Sequence, residues 1–167
     1  DEAGCEATLQ VSSAEIYGSG ICGHLLEAHK GNYELEDPRL LTELSPVEPH
    51  SSYGVAKAAV DYAVQVRWRE ARTPCIALRQ FNCVGERETH PYIVPEIISQ
   101  LAKQDLPAGL KDKETKWPRV VKLGNNSFRD FLYAGDAVRI AVELLERGEW
   151  GEVYNLGSET GIKMYDL

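Results

Sequence analysis

Tyr53 and Lys57 stand four residues apart in the stretch Ser51-Ser52-Tyr53-Gly54-Val55-Ala56-Lys57. On a helix that interval puts both side chains on one face, within mutual reach. A free phenol titrates near about 10 and is a poor base at neutral pH. An ammonium beside it stabilises the phenolate, and an oxidised nicotinamide ring would add more positive charge. Such a pair can take a proton from an alcohol while hydride leaves the same carbon. Helices also carry many chance Tyr/Lys pairs at this spacing, so on its own the pair reads as structural.

A second pattern lies upstream. Gly18, Gly20 and Gly23 in YGSGICG have the G-x-G-x-x-G spacing of a phosphate-cradling turn, and Asp37 follows Gly18 by nineteen residues. That motif requires an apolar strand directly before its first glycine, and SSAEIY is too polar for one. We therefore read the glycine spacing as a coincidence.

The elements that must position Tyr53 and Lys57 are legible in outline. Residues 7–12 (ATLQVS) alternate like a strand. The segment 18–50 is rich in loop signals, with Pro38, Pro46 and Pro49, although LLEAHK has helical character. A helix is predicted from the Ser51/Ser52 caps to the residues before Pro74, with an apolar face of Val55, Ala59, Tyr62 and Val66 flanked by Ala58 and Ala63. CIALRQF follows as a strand and stops at a turn signal, Asn82 to Gly85. IVPEIISQLAKQ reads as a second helix with Pro95 in its first turn, and DLPAGLKDKETKWP as a surface excursion. RVVKLG and FRDFLYA read as short strands. A third helix, DAVRIAVELLERG, is expected to be capped by Asp136 and stopped by Gly148, with Ala137, Ile140, Ala141, Leu144 and Leu145 as its stripe. EVYNLG is a last strand, and strands separated by helices imply an α/β layer with parallel pairing.

Composition narrows the function classes. The chain has 167 residues, 43% hydrophobic and 26% charged, as in ordinary globular proteins. A net charge of −8 excludes a general nucleic-acid binder, although specific arginines could still hold an anionic small ligand. No run approaches the ~18–20 apolar residues of a membrane span. DEAGCEATLQ at the amino terminus carries no export signal, so the expected location is cytoplasmic. Cys5, Cys22, Cys75 and Cys83 form no CxxC pair, and Cys22, His24 and His29 match no standard metal spacing, so reduced thiols and no metal are expected.

Five motifs occur in one order: VSSAEIYG at 11–18, SSYGVAK at 51–57, LRQFNCVG at 78–85, FRDFLYAGD at 128–136 and EVYNLGS at 152–158. Together they resemble the extended short-chain dehydrogenase/reductase family, in its NAD-dependent nucleotide-sugar epimerase/dehydratase branch. The likeness runs from about residue 7 to the end. It implies a partial Rossmann-type doubly wound parallel sheet, late strands only, plus part of a small substrate-binding lobe. Residues 1–90 would hold the late strands and the catalytic helix, and 91–167 part of the lobe with one returning strand and helix.

By this resemblance Ser13 holds the reacting sugar oxygen, Tyr53 transfers the proton, and Lys57 binds the nicotinamide ribose of NAD or NADP and lowers the tyrosine pKa. Asn82 falls near the sugar-nucleotide phosphates and Arg129 on the diphosphate, a task for its planar fork. Lys122, Leu123 and Gly124 match a strand edge that packs on the nucleotide base. Family 4,6-dehydratases carry an acidic pair just after the Ser or Thr. Here it reads Ala14-Glu15, so the C5 base, Glu15, is present without its acidic partner. Epimerisation, 4,6-dehydration and keto-sugar reduction all stay open.

The YGSGICG run follows Ser13 and precedes Tyr53, whereas a cofactor loop opens the fold, so it fits an inserted loop at 18–45. The family's glycine-rich loop and first strands would then lie before Asp1. The resemblance thus implies an interior to C-terminal fragment of a longer enzyme, expected to bind NAD(P) weakly and to turn over little alone. The partner implied is a nucleotide-diphosphate sugar, with a homodimer through the Tyr53–Lys57 helix. Two other readings remain: a non-catalytic sugar-nucleotide-binding or dimerisation module on the same scaffold, and an unrelated α/β domain in which each motif is structural. Convergence of Ser13, Tyr53 and Lys57 at the carboxyl ends of neighbouring strands separates the last from the first two.

Overall fold

A computed structural model of the chain describes residues 4–18, 41–89, 91–104, 121–123 and 128–167. The first sheet has three parallel strands in the order β1-β2-β5, with β1 Thr8–Val11, β2 Cys75–Gln80 and β5 Val153–Leu156. Thr8 lies opposite Cys75 and Val11 opposite Leu78, while Ala77 faces Val153 and Gln80 faces Leu156. The central strand is buried from Cys75 to Arg79, as a parallel strand covered on both faces must be.

Successive residues of β2 serve opposite layers. Cys75 and Ala77 pack against Val64 of helix α1 (Ser52–Ala71), with Trp68 beside them. Leu78 packs with Leu156 against Ala137 of helix α3 (Ala134–Arg147), joined by Ile140 and Leu144. One helix on each face of a parallel sheet is the doubly wound arrangement the sequence predicts.

The inner face of α1 differs from expectation. The buried residues are Gly54, Ala58, Asp61 and Val64, whereas Val55, Tyr62 and Val66 are 55%, 51% and 43% exposed. Ala59 and Ala63 are exposed as well. Close approach of the helix to its neighbours selects small residues for the inner face, and a charge is admitted there because it has a partner, Arg79. Helix boundaries follow local chemistry. Ser51 Oγ accepts from Gly54 N at 3.0 Å, and Arg72 closes the helix in the left-handed region at φ 52°, two residues before Pro74.

The chain leaves the first sheet at Phe81, whose N donates to Leu156 O at 2.9 Å, and enters a second sheet in the order β3-β4-β6. Here the expected turn at Asn82 is strand β3 (Asn82–Val84), because those residues find a parallel ladder on β4 (Phe128–Tyr133). Strand β6 (Gly161–Lys163) runs antiparallel to β4. Helix α2 (Ile93–Gln104) takes Pro95 in its first turn. Residues 121–123 of the expected strand RVVKLG carry no strand structure. Their hold is a side chain: Gln100 donates to Lys122 O at 3.0 Å and accepts from Lys122 N at 2.8 Å.

Two details of α3 are corrected. It starts at Ala134, so Asp136 lies in its first turn, favourable to the helix dipole, and not at the cap. Gly148 closes the helix with an ordinary φ of −71° and donates to Leu144 O. Leu145, expected in the stripe, is 38% exposed.

Candidate functional site

The carboxyl end of β1 is where the chemistry-bearing residues gather. Val11 ends the strand, and its carbonyl accepts from Lys57 Nζ at 2.8 Å. The same ammonium lies 5.7 Å from the centre of the Tyr53 ring, which is 53% exposed. Ser12, buried, donates from Oγ to Lys57 O at 3.4 Å and from its backbone N to Leu78 O at 2.8 Å. This double attachment ties the Lys57 turn of α1 to both β1 and β2.

Ser13 begins a 3-10 turn, Ala14–Tyr17, and its Oγ accepts from Glu15 N at 3.2 Å. A hydroxyl that accepts from the backbone keeps its own proton to donate. Ala14 turns into the core with Ile16, Tyr17 and Ala58, while Glu15 is exposed. The turn and the helix meet at Gly54, where a Cβ would come 2.8 Å from Glu15 O. Ser13, Glu15, Tyr53 and Lys57 thus belong to two elements in contact at the carboxyl end of the parallel sheet, the usual place for a ligand crevice in such sheets.

The same turn removes the dinucleotide reading of the glycine run. A phosphate-cradling loop requires a strand before its first glycine, and Gly18 is preceded by a 3-10 turn. Gly18, at φ 50°, donates to Glu15 O and packs where a Cβ would overlap Glu48 O. Gly20, Gly23, Asp37, Cys22, His24, His29, the LLEAHK segment, the DLPAGLKDKETKWP excursion and Gly124 lie outside the described residues.

Behind the site is a buried polar network that the motifs did not reveal. Arg79 on β2 donates to Asp61 through Nε at 3.0 Å and Nη2 at 2.9 Å, with both side chains almost fully buried. Its Nη1 reaches Tyr17 Oη at 2.8 Å and Glu43 O at 3.0 Å. Tyr17 donates to Asn155 Oδ1 at 2.6 Å, and Asn155 is held in turn by two bonds that it donates, from N to Glu43 Oε1 at 2.7 Å and from Nδ2 to Leu41 O at 3.1 Å. Gln65 donates to Asp61 Oδ1 at 3.0 Å.

Burial pushes the Tyr17 phenol above the ordinary tyrosine range, against the pull of Arg79. Burial alone would weaken the hold of Arg79 on its proton, but the bonds to Asp61 and Tyr17 more than offset this, and the guanidinium stays charged. The available sequence signal was a lone arginine inside the apolar run CIALRQF, since a buried charge requires a partner.

Asn82 and Arg129 sit on the second sheet. Asn82 is exposed at the start of β3, opposite Phe131, and Arg129 lies two residues before Phe131 on β4. The two-residue period puts both side chains on one sheet face, with Cα atoms roughly 8 Å apart from strand spacing and rise. Arg129 Nη1 donates to Phe128 O at 2.9 Å. Its neighbour Asp130 accepts from Ser158 N and Oγ, each at 2.7 Å, and from Glu159 N at 3.1 Å, fixing the turn before β6. Leu123, half-buried, follows the Lys122 backbone held by Gln100.

A parallel sheet flanked by helices on both faces defines a partial Rossmann-type scaffold, with the Tyr-x-x-x-Lys pair at the carboxyl end of one of its strands. Residues 1–157 match the NAD dependent epimerase/dehydratase family, and the chain belongs to that family. It is 28% identical over 166 residues to the dTDP-D-glucose 4,6-dehydratase of Mus musculus, a match covering 99% of this chain and 39% of that protein. Among solved structures it resembles the dTDP-glucose 4,6-dehydratase of Bacillus anthracis in complex with NAD, with TM-score 0.71 and 23% identity over 95% of this chain and 42% of that one. It also resembles RMD from Pseudomonas aeruginosa complexed with NADPH, with TM-score 0.73 and 22% identity over 98% of this chain and 49% of that one. The chain therefore spans less than half the length of these relatives.

Proposed function

We propose that the chain carries the proton-transfer centre of an NAD(P)-dependent enzyme acting on a nucleotide-linked sugar, by epimerisation, 4,6-dehydration or keto reduction. The observation that carries this reading is the placement of Lys57 Nζ, 2.8 Å from the carbonyl that ends β1 and 5.7 Å from the Tyr53 ring. An exposed phenol and an ammonium at the mouth of a parallel sheet fit the ribose of a nicotinamide nucleotide. NAD or NADP, when bound, supplies reversible hydride acceptance.

The chain's own residues handle the rest. Lys57 stabilises Tyr53 as the phenolate and holds the ribose, the phenolate takes the proton from the sugar hydroxyl and becomes the phenol, and Ser13 donates a hydrogen bond to the same sugar oxygen. Glu15 is the sole carboxylate of the turn, since Ala14 is buried in the core, and it serves as the base at a neighbouring carbon. Arg129 and Asn82, on one face of the second sheet, bind the diphosphate. Leu123 packs on the base. Val55, Tyr62 and Val66, exposed along one side of α1, form a contact with a second copy of the chain. A second reading, a dimerising sugar-nucleotide module without turnover, uses the same contact.

One experiment separates these. The chain is incubated with NAD+ or NADP+ and a panel of UDP- and dTDP-hexoses, with binding read by calorimetry and products by NMR. Turnover that falls about 10²–10⁴-fold in Tyr53→Phe supports the catalytic reading. Sugar-nucleotide binding without turnover, both by the chain alone and by the chain joined to a relative's cofactor-binding half, supports the module. Absence of binding ends both.

A further inference from the structure

Asp61 and Arg79, the two buried charged side chains among the described residues, belong to no role assigned above, yet they join the elements that carry those roles. We propose that this pair is a positioning device. It sets the height and rotation of α1 against β2, and so holds Lys57 Nζ on the Val11 carbonyl and Tyr53 beside the 3-10 turn. The inference rests on the proposed roles of Tyr53 and Lys57.

Asp61 lies four residues after Lys57 and eight after Tyr53, hence on the same side of α1 and about 6 Å along its axis from Lys57. Any slide or rotation of Asp61 is therefore transmitted to the ammonium. Near the site apolar packing specifies that height poorly, because the inner face there is Gly54, Ala58 and Val64, small side chains that present little relief, and the large Trp68 packs on the sheet only seven residues beyond Asp61. A planar guanidinium bound through both Nε and Nη2 fixes height and rotation together.

The remaining nitrogen of the same guanidinium refers the other side of the site to that point. Nη1 binds the hydroxyl of Tyr17, the last residue of the 3-10 turn that begins after Ser13, and the carbonyl of Glu43. Through Tyr17 the reference extends to Asn155 on β5. One side chain thus sets the turn bearing Ser13 and Glu15 and the helix bearing Tyr53 and Lys57 relative to each other.

Replacement of both partners by apolar residues discriminates positioning from simple stabilisation, since such swaps of buried pairs commonly leave a protein folded. The double variant Asp61→Leu/Arg79→Met of the 167-residue chain is checked for folding by circular dichroism and near-ultraviolet signals. Acetylation of Lys57 by limiting acetic anhydride is then followed by peptide mass spectrometry, with Lys163 as the internal reference. If the pair positions α1, Lys57 acetylates about fivefold faster relative to Lys163, the ratio that one net hydrogen bond carries. A folded double variant with the wild-type ratio overturns the proposal. Should the double variant not fold, Arg79→Lys keeps the charge and removes the fork, and an unchanged ratio there overturns it equally. The readout uses no cofactor or sugar, so its failure leaves the proposed function standing, and failure of turnover does not by itself produce an unchanged acetylation ratio.

Discussion

Asp61 and Glu143 each sit about one hydrogen-bond length from an arginine, at 2.9 Å and 3.0 Å, but their surroundings differ completely. The Arg79–Asp61 side chains are 3% and 1% exposed, and those of Arg147–Glu143 are 75% and 50% exposed. Removing one partner of the buried pair leaves an uncompensated charge away from water, so Asp61→Asn is expected to cost about 3–5 kcal/mol in urea unfolding. Glu143→Gln, screened by solvent, is expected to cost less than about 0.5 kcal/mol in the same measurement. Tyr53 and Lys57 were legible as a pair because their relation is a helical interval, contained in five residues of sequence. Asp61 and Arg79 were not, because eighteen residues and a change of element separate them, and only the packed fold brings the carboxylate to the fork. Arg79 alone could have raised the question of a partner, never its identity.

Helix α1 shows at the scale of an element where hydrophobic periodicity misleads. Its apolar row was read correctly as a row and assigned to the wrong side: Val55, Tyr62 and Val66 face outward, while Gly54 and Ala58 pack on the 3-10 turn and Asp61 bonds to Arg79 of the sheet. The rule that apolar residues go inside has no converse, since much of any folded surface is apolar, and a tight interface selects small residues over hydrophobic ones. Gly54 tests this. In an exposed helix interior, glycine to alanine stabilises by roughly 1 kcal/mol. Here the new Cβ meets Glu15 O at 2.8 Å and Pro49 Cβ at 3.0 Å, so neighbouring backbone must yield. Gly54→Ala is therefore expected to destabilise by about 1–3 kcal/mol, the range for overpacking, with the unfolding midpoint in urea as the check. The short strand β3 was missed for a related reason: Asn82–Val84 has turn-like composition, and the parallel ladder on β4 comes from a segment more than forty residues later.

At the scale of the whole molecule, the outward row of α1 is the feature that most needs an occupant. Val55, Tyr62 and Val66 are 43–55% exposed along one side of the helix, together with the exposed Ala59 and Ala63. Rows of apolar side chains on a single helix match the requirement of helix-on-helix packing, and a second copy of the same helix supplies a self-complementary surface. The architecture around that helix was readable because ordered motifs fix the strand and helix sequence, while the direction of its apolar row depended on contacts with the 3-10 turn that no local pattern encodes. If the row is a self-contact, sedimentation equilibrium of the chain gives a dimer at micromolar concentration, and its thermal midpoint rises with concentration. The double variant Tyr62→Glu/Val66→Glu places four like charges in that contact and leaves the inner face untouched. It is expected to be monomeric, with a midpoint independent of concentration and a urea midpoint per monomer within about 0.5 kcal/mol of the wild-type value extrapolated to dilution. A wild-type chain that stays monomeric at every concentration, or a variant that still dimerises, assigns the outward row to something other than its own copy.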